Sequence, residues 1–200
     1  MTAASTSAPA TLERRAFVAH LLGQLPDALV VTGLGSSAYD VFAAGDRETN
    51  YYLWGAMGGA AALGLGLALA QRERDVLVVT GDGEQLMGLG ALATIGAKRP
   101  PNLSIVVLDN GHYGETGMQR SHTGLGTDLV AVARGCGIER SMHVRDAGDL
   151  AAFVARLRER AGPVFAQAAI RATDPPRALP PRDGPYVKNR FRAALGLKPF

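Results

Sequence analysis

The chain has 200 residues, of which 47% are hydrophobic and 20% are charged, and a formal net charge of +3. These values are typical of one globular domain, and without a basic block they give no indication of nucleic-acid binding. The single cysteine, Cys136, excludes an internal disulfide and suits the reducing cytoplasm, where we expect the protein to be located. We predict no signal peptide in residues 1–11 and no membrane span, because the apolar run at 58–70 is short and contains four glycines.

The predicted elements alternate between helices and short apolar strands. In chain order they are a helix at 12–22, a strand at 29–32, helices at 38–43 and 55–71, a strand at 76–79, a helix at 85–97, a strand at 103–108, a helix at 127–134, a strand at 140–144, a helix at 147–160 and a strand at 164–170. Residues 45–52 and 111–126 are predicted loops. Because the strands alternate with helices, the sequence predicts an α/β fold with a doubly wound, mostly parallel sheet.

The chain divides into three predicted regions. Residues 1–27 form an N-terminal extension and helix, residues 28–172 form the main domain, and residues 173–200 form a C-terminal tail. The tail is rich in proline at 174–185, which excludes regular structure there, and the sequence predicts a short basic helix at 187–195.

The most informative motif is Gly81-Asp82-Gly83, which is followed after twenty-five residues by Asp109-Asn110. Each half of the motif comes directly after a predicted strand, so we expect Asp82 and Asn110 to lie together at the carboxyl edge of the sheet, where ligands bind. A carboxylate and an amide carbonyl offer the hard oxygen ligands that Mg²⁺ prefers, together with substrate phosphates. Gly83 leaves the backbone N–H groups at the following helix start open to a phosphate.

This motif resembles the fingerprint of the diphosphate-binding domain in thiamine diphosphate enzymes, GDG followed by NN or DN. The similarity extends from Thr32 to about Leu195. Over this length the chain resembles the diphosphate-binding subunit of sulfopyruvate decarboxylase and, as a close second, the related domain of phosphonopyruvate decarboxylase. The matching stretches cover residues 35–37, 43–47, 54–58, 64–70, 89–94 and 108–119. The resemblance implies the thiamine diphosphate-binding fold, with thiamine diphosphate and Mg²⁺ as cofactors.

The resemblance implies metal and diphosphate ligands position by position. Asp82, Asn110 and the backbone carbonyl of His112 are the implied Mg²⁺ ligands, since imidazole is a poor partner for this ion. The backbone N–H groups of Gly83 and Glu84 are the implied donors to the diphosphate. The family usually has serine at the position of Glu84, so we expect the charge of this side chain to point away.

Four further residues are implied to contact the cofactor. The Ser36 hydroxyl reaches the diphosphate or only caps the helix that follows. The Gly55 carbonyl accepts from the 4′-amino group of the cofactor, while Met57 donates its N–H to the pyrimidine ring and wedges the cofactor into its bent form. Alternatively, Met57 fills a gap in the core. Tyr113 lies in the matched stretch that follows Asn110, and we expect it in the same site.

Residues beyond the metal motif are candidates for the chemistry. Glu115 either transfers a proton to the carbanion or enamine left after decarboxylation, caps a helix, or faces solvent. The His112 side chain is a candidate for substrate contact. Arg120 and His122 either bind a substrate anion or are solvated.

The resemblance also implies that a second polypeptide completes the enzyme. Thiamine diphosphate enzymes need a glutamate from a separate pyrimidine-binding domain, and only about thirty residues precede the first predicted strand, too few for a domain. We therefore expect a hetero-oligomer in which a pyrimidine-binding (alpha) subunit completes the active site. Tyr51, Tyr52 and Trp54 are expected to pack at the partner interface.

The activity that the resemblance implies is decarboxylation of a small 2-oxo acid such as sulfopyruvate or phosphonopyruvate. The alternatives on the same scaffold are a carboligase or an oxidoreductase component, although the sequence lacks the cysteines of an iron–sulfur cluster. A further alternative is a non-catalytic, partner-binding subunit with a vestigial cofactor site, against which the intact Asp82 and Asn110 argue.

Overall fold

The computed structural model describes residues 12–198, and its centre is a parallel β-sheet. In chain order, the strands of the molecule are β1 (Leu29–Thr32), β2 (Asn50–Tyr52), β3 (Val76–Gly81), β4 (Leu103–Asp109), β5 (His112–Tyr113), β6 (Gln119–Arg120), β7 (Arg140–Val144) and β8 (Val164–Ala169). The six-stranded sheet has the order β2-β1-β3-β4-β8-β7, and every neighbouring pair is parallel. Strands β5 and β6 form a separate antiparallel hairpin.

Helices cover both faces of the six-stranded sheet. In chain order they are α1 (Arg14–Gly23), α2 (Ser36–Ala43), α3 (Ala60–Ala70), α4 (Asp82–Met87), α5 (Gly90–Lys98), α6 (Leu129–Gly135), α7 (Ala147–Arg158) and α8 (Gly184–Ala194). Buried side chains of α1, α2 and α7 form one hydrophobic cluster with the sheet, and those of α3, α5, α6 and α8 form another. The predicted doubly wound α/β fold is confirmed.

The central strands β3 and β4 are apolar along nearly their whole length because both of their faces are covered. Successive side chains alternate between the faces, so that Val78 belongs to one hydrophobic cluster and Val79 to the other. In the parallel register, Gly81 of β3 lies beside Leu108 of β4. The two strands therefore end at the same edge of the sheet, and the turns that follow them begin there.

Strand β2 lies inside the segment 45–52 that we predicted as a loop. Its polar side chains form hydrogen bonds within the same segment. Asn50 Nδ2 donates to the Gly45 carbonyl and to Tyr52 Oη, and the Tyr52 hydroxyl donates to Asp46. Burial, together with the hydrogen bond to Asp46, raises the pKa of Tyr52. A polar sequence thus forms a buried edge strand, and the loop prediction was wrong there. Tyr52 is only 2% exposed, so its predicted place at a partner interface is also wrong.

The helix predicted at 85–97 is divided into α4 and α5, which are separated at Gly88. A Cβ atom on Gly88 would lie 2.2 Å from the carbonyl oxygen of Gly58. The chain can pass this close to Gly58 only without a side chain at position 88, and the regular helix is interrupted there. Helix α4 begins at Asp82, directly after β3, so its first turn lies at the edge of the sheet.

The C-terminal segment packs against the rest of the domain. Residues 171–183 have no regular structure, as their prolines predict, and α8 follows them. Trp54 Nε1 donates to the Pro181 carbonyl at 2.9 Å, and the Tyr51 ring packs edge-on against Phe191 with 5.4 Å between the ring centres. Tyr51 and Trp54 therefore make contacts within this chain, and their packing against a partner stays a prediction.

Helix α3 approaches the sheet closely at one of its two glycines. A Cβ atom on Gly64 would lie 2.3 Å from Val78 Cγ2 in β3, whereas a Cβ atom on Gly66 would have nothing within 4 Å. Within residues 12–198 no helix, α3 included, is both long enough and apolar enough to cross a membrane.

Alanine substitutions at these two glycines should have opposite effects on stability. Gly64→Ala should lower the free energy of unfolding by about 1–3 kcal/mol, because the added methyl group overpacks the stiff Val78 side chain. Gly66→Ala should raise it by about 0.4–1 kcal/mol, because alanine loses less backbone entropy in a helix. Urea unfolding followed by circular dichroism measures both changes. An equal effect of the two substitutions would contradict the close approach of α3 to β3.

Candidate functional site

A cavity of about 230 Å³ opens at the edge of the sheet where β3 and β4 end. The predicted site residues that line it are Ser36, Met57, Asp82, Gly83, Glu84, Asn110, His112, Tyr113 and Glu115. Gly55 is exposed and is not part of the cavity lining. The structure thus brings together the turn after β1, the turn after β3 and the hairpin that follows β4.

The Asp82 carboxylate is almost fully buried, with 3% of the residue exposed. The hydroxyl groups of Ser121 and Thr123 hydrogen-bond to its Oδ2 atom, and Thr123 Oγ1 also lies 2.7 Å from Asp109 Oδ1. Burial raises the pKa of Asp82 to about 6; the hydrogen bond from Ser121 opposes this shift, and the charge of Asp109 adds to it. Two neighbouring carboxylates in a desolvated position favour the binding of a cation.

Asn110 follows β4, and its side chain shapes the next turn. Its Oδ1 atom accepts the backbone N–H of His112 at 2.9 Å, and His112 Nδ1 lies 2.7 Å from the Asn110 carbonyl oxygen. In residues 12–198, no group of three or more histidine, cysteine, aspartate or glutamate side chains could hold a metal ion. Asp82 and Asn110 nevertheless fit Mg²⁺, which is typically held by one or two carboxylates together with phosphates and water.

Gly83 and Glu84 lie in the first turn of α4, where backbone N–H groups have no acceptor within the helix. A Cβ atom on Gly83 would lie 2.8 Å from the Tyr113 ring and 4.0 Å from the Met57 methyl group, so both side chains cover this turn. Met57 is 44% exposed, and the alternative that it fills a gap in the core is therefore wrong. Only glycine at position 83 leaves room for the Tyr113 ring.

The Glu84 side chain turns into the interior of the domain. Its Oε2 atom accepts from Thr80 Oγ1 at 2.9 Å and from the backbone N–H of Leu34 at 3.1 Å. A Cβ atom on Gly33 would lie 1.4 Å from this oxygen, so the glycine makes room for the carboxylate. Burial raises the pKa of Glu84. Glu84 thereby connects the turn after β1 with the turn after β3.

Ser36 and Glu115 meet at the edge of the cavity. Ser36 is the first residue of α2, and Gly35, with a φ of +73°, holds the cap position, so the capping role considered for Ser36 is wrong. Ser36 Oγ instead donates to Glu115 Oε1 at 3.4 Å, while Glu115 Oε2 lies 3.2 Å from Arg177 Nη2. Because its described partners are side chains rather than helix-terminal N–H groups, the capping alternative for Glu115 is also wrong.

Arg120 and His122 lie in the hairpin region but do not line the cavity. Arg120 Nη2 donates to the carbonyl of Gly124, and His122 Nδ1 lies 2.9 Å from the Tyr113 hydroxyl. Among the described residues, the Tyr113 hydroxyl is the contact that connects His122 with the cavity. The structure does not bring either side chain to a position in the cavity where a substrate anion would meet it.

Several residues of the site were not identified from the sequence. Arg14, in α1, is 4% exposed and lines the cavity, and its Nε atom lies 2.6 Å from Asp40 Oδ2 in α2. Burial raises the pKa of Asp40, and the neighbouring Arg14 guanidinium opposes this shift. Arg177 reaches Glu115 from the proline-rich segment. These contacts join distant parts of the chain, and no local spacing indicates them.

The comparisons with known proteins agree with this geometry. The family model described as "Thiamine pyrophosphate enzyme, C-terminal TPP binding domain" matches residues 34–168. A phosphonopyruvate decarboxylase from Streptomyces viridochromogenes is 40% identical over 188 residues, which are 93% of this chain and 47% of that protein. The beta subunit of sulfopyruvate decarboxylase from Methanothermobacter thermautotrophicus is 38% identical over 160 residues, which are 80% of this chain and 83% of that subunit.

A solved structure shows the same fold. A thiamin diphosphate-dependent enzyme from Mycobacterium smegmatis superposes with a TM-score of 0.70 at 25% identity, over 84% of this chain and 34% of that one. The chain spans about half the length of the phosphonopyruvate decarboxylase that it matches. Because the family model covers more than half of the chain, including the turns that follow β3 and β4, the chain belongs to the thiamine pyrophosphate enzyme family and contains its C-terminal TPP binding domain.

Proposed function

We propose that this chain is the diphosphate-binding subunit of a thiamine diphosphate- and Mg²⁺-dependent decarboxylase that acts on a small 2-oxo acid. The observation that carries the proposal is the meeting of Asp82 and Asn110 at one cavity, inside the region that matches the family model. The names of the relatives support the reaction, because they are decarboxylases of phosphonopyruvate and sulfopyruvate.

We infer that a separate pyrimidine-binding (alpha) subunit completes the active site. The sulfopyruvate relatives that are named subunit beta support this inference. Among the described residues that line the cavity, the glutamates are Glu84 and Glu115, and both already have partners within the chain. Gly55 and Met57, which we expect to contact the pyrimidine ring, are both exposed in this chain, as residues covered by a second subunit would be.

The residues of the cavity have distinct roles in this proposal. Asp82 and Asn110, with the backbone carbonyl of His112, would hold Mg²⁺. The first-turn N–H groups of Gly83 and Glu84 would bind the diphosphate, a favourable position for an anion. Ser36 would assist them through its hydroxyl, and Tyr113 and Met57 would pack against the rings of the cofactor. When bound, thiamine diphosphate supplies the electron sink that the loss of CO₂ from a 2-oxo acid requires.

Glu115 is our candidate for the proton transfer in this reaction. Its carboxylate lines the cavity and remains 40% exposed, while Ser36 and Arg177 each contact one of its oxygens. These two contacts fix the orientation of the carboxylate without removing it from the cavity. We propose that the Glu115 carboxylate, which is exposed to solvent, takes up a proton from water and delivers it to the carbon that has lost CO₂, with Ser36 and Arg177 as positioning residues.

The proposed function is tested by CO₂ release from sulfopyruvate, phosphonopyruvate and pyruvate in the presence of thiamine diphosphate and Mg²⁺. The chain with its pyrimidine-binding partner should turn over at least one of these acids, whereas the chain alone should not, because in this proposal the partner supplies the acid that activates the pyrimidine ring. Asp82→Ala in the complex is the control for cofactor-dependent turnover. Robust turnover by the chain alone would reject the separate-subunit proposal, and no turnover by the complex would reject the decarboxylase.

Glu115→Gln should lower kcat of the complex by about 10²–10⁴-fold, the usual contribution of general acid–base catalysis, because the amide keeps the size of the side chain but cannot deliver a proton. Thiamine diphosphate affinity should change little. Glu159→Gln is the matched control, since Glu159 is also exposed and bound to an arginine, Arg140, but lies at the end of α7. Steady-state kinetics over a range of pH, beside a cofactor titration, measures these effects. A Glu115→Gln enzyme with the wild-type rate and pH profile would exclude the proton-transfer role.

A further inference from the structure

Arg14 is a buried charge at the cavity that has unused hydrogen-bonding capacity. Within residues 12–198, only its Nε atom has a hydrogen-bond partner, Asp40 Oδ2. Its two terminal nitrogens have no hydrogen-bond partner among the described residues, and neither is a buried polar atom without a partner in that part of the chain. The residue as a whole is 4% exposed and lines the cavity, so the surface that it leaves accessible borders the cavity.

The charged side chains that contact one another beside Arg14 include more arginine than carboxylate. Asp40 is the carboxylate that contacts Arg14, and Arg15 Nε lies 3.5 Å from the other oxygen of Asp40. Two arginines therefore share one buried carboxylate. The ion pair of Glu115 with Arg177 adds no net charge. Arg14, Arg15 and Asp40 together therefore carry one positive charge, and the burial of Arg14 strengthens its attraction for an anion beside it. The carboxyl groups of Asp82 and Glu84 line the same cavity.

We propose that Arg14 binds the second acidic group of the substrate, a phosphonate or sulfonate on the carbon next to the keto group, and so determines which 2-oxo acids are accepted. This inference rests on the proposed function, because it assigns a residue of the same cavity to the substrate. The guanidinium group presents several N–H donors in one plane, and such a donor set suits phosphonate and sulfonate oxygens.

The course of the reaction decides which of the two acidic groups Arg14 binds. The carboxylate leaves as neutral CO₂, so an arginine bound to it would stabilise the substrate more than the transition state and would slow the reaction. The second acidic group keeps its charge throughout. Binding it stabilises the substrate and the transition state equally, which lowers KM without lowering kcat.

The other arginines near the cavity are less suited to this role. The Arg177 side chain is 58% exposed and already contacts Glu115, and solvent screening weakens the attraction of such a group for an anion. Arg120 and Arg15 are not part of the cavity lining. Arg14 is therefore the buried cation that a substrate in the cavity would meet.

The test compares three variants of the chain, each in the complex with its partner. Arg14→Gln combined with Asp40→Asn removes both members of the buried pair, which avoids leaving an unpaired buried charge. Arg14→Lys keeps the charge pair but loses the planar donor group. Arg15→Gln is the matched control, because it changes the neighbouring arginine that also contacts Asp40. Circular dichroism establishes that each variant is folded, and titration with thiamine diphosphate establishes that it binds the cofactor.

Two measurements are made on each variant. Calorimetric titration gives the affinity for 3-sulfopropanoate, which carries both acidic groups but no keto group, and for propanoate, which lacks the sulfonate. Steady-state kinetics gives the ratio of kcat/KM for sulfopyruvate to kcat/KM for pyruvate. The double variant should lose about 10- to 100-fold in affinity for 3-sulfopropanoate, which is the usual contribution of a charge-assisted hydrogen bond. The ratio of the two kcat/KM values should fall by the same factor, because the KM for sulfopyruvate rises. Arg14→Lys and Arg15→Gln should each lose less than the double variant.

The outcomes separate this inference from the proposed function. Wild-type protein that binds 3-sulfopropanoate no better than propanoate, or a double variant that keeps the preference, would overturn the role of Arg14 even if the complex decarboxylates. An equal loss of affinity in Arg15→Gln would also overturn the role of Arg14, because the overall positive charge, rather than a specific contact with Arg14, would then explain the binding. Arg14-dependent binding of 3-sulfopropanoate in a complex that turns over no 2-oxo acid would support the anion site and reject the decarboxylase.

Discussion

The parallel pairing of β3 with β4 determines where the polar groups of the site lie. Gly81 and Leu108 are neighbours at the ends of these strands, so the turns that carry Asp82 and Asn110 begin at the same edge of the sheet. The strands themselves are held by hydrophobic clusters on both faces. The packing of these hydrophobic clusters therefore fixes the positions of Asp82 and Asn110. A ligand that binds the two residues finds the turns that carry them already ordered.

The polar groups that are buried at this edge form hydrogen bonds with one another. Thr123 contacts the carboxylates of both Asp82 and Asp109, and Gln167 Nε2 donates to the second oxygen of Asp109 at 2.6 Å. The hairpin of β5 and β6 brings Ser121 back to Asp82. Both hydroxyl groups contact Asp82 Oδ2, so a divalent cation that binds this oxygen would compete with them. We therefore expect metal binding to be coupled to the position of the hairpin that also carries Tyr113.

The parts of the molecule that follow from local sequence were predicted well, and those that depend on distant contacts were not. Apolar runs identified β3, β4 and β8, and the GDG spacing identified the cavity edge, because strand and turn chemistry are local. The edge strand β2 was missed because Asn50 and Tyr52 are buried by mutual hydrogen bonds rather than by apolarity. Arg14 and Arg177 were missed because only the folded chain brings Arg14 to the cavity and Arg177 to Glu115.

The central claim, that Asp82 and Asn110 hold the metal of a diphosphate cofactor, is tested most directly by a crystal structure with thiamine diphosphate and Mn²⁺ in place of Mg²⁺. The account predicts one anomalous peak bonded to an Asp82 carboxylate oxygen and to Asn110 Oδ1, at distances close to the roughly 2.1 Å of Mg²⁺ sites, and also bonded to the diphosphate. A peak elsewhere, or cofactor without metal while Ser121 remains hydrogen-bonded to Asp82, would contradict it.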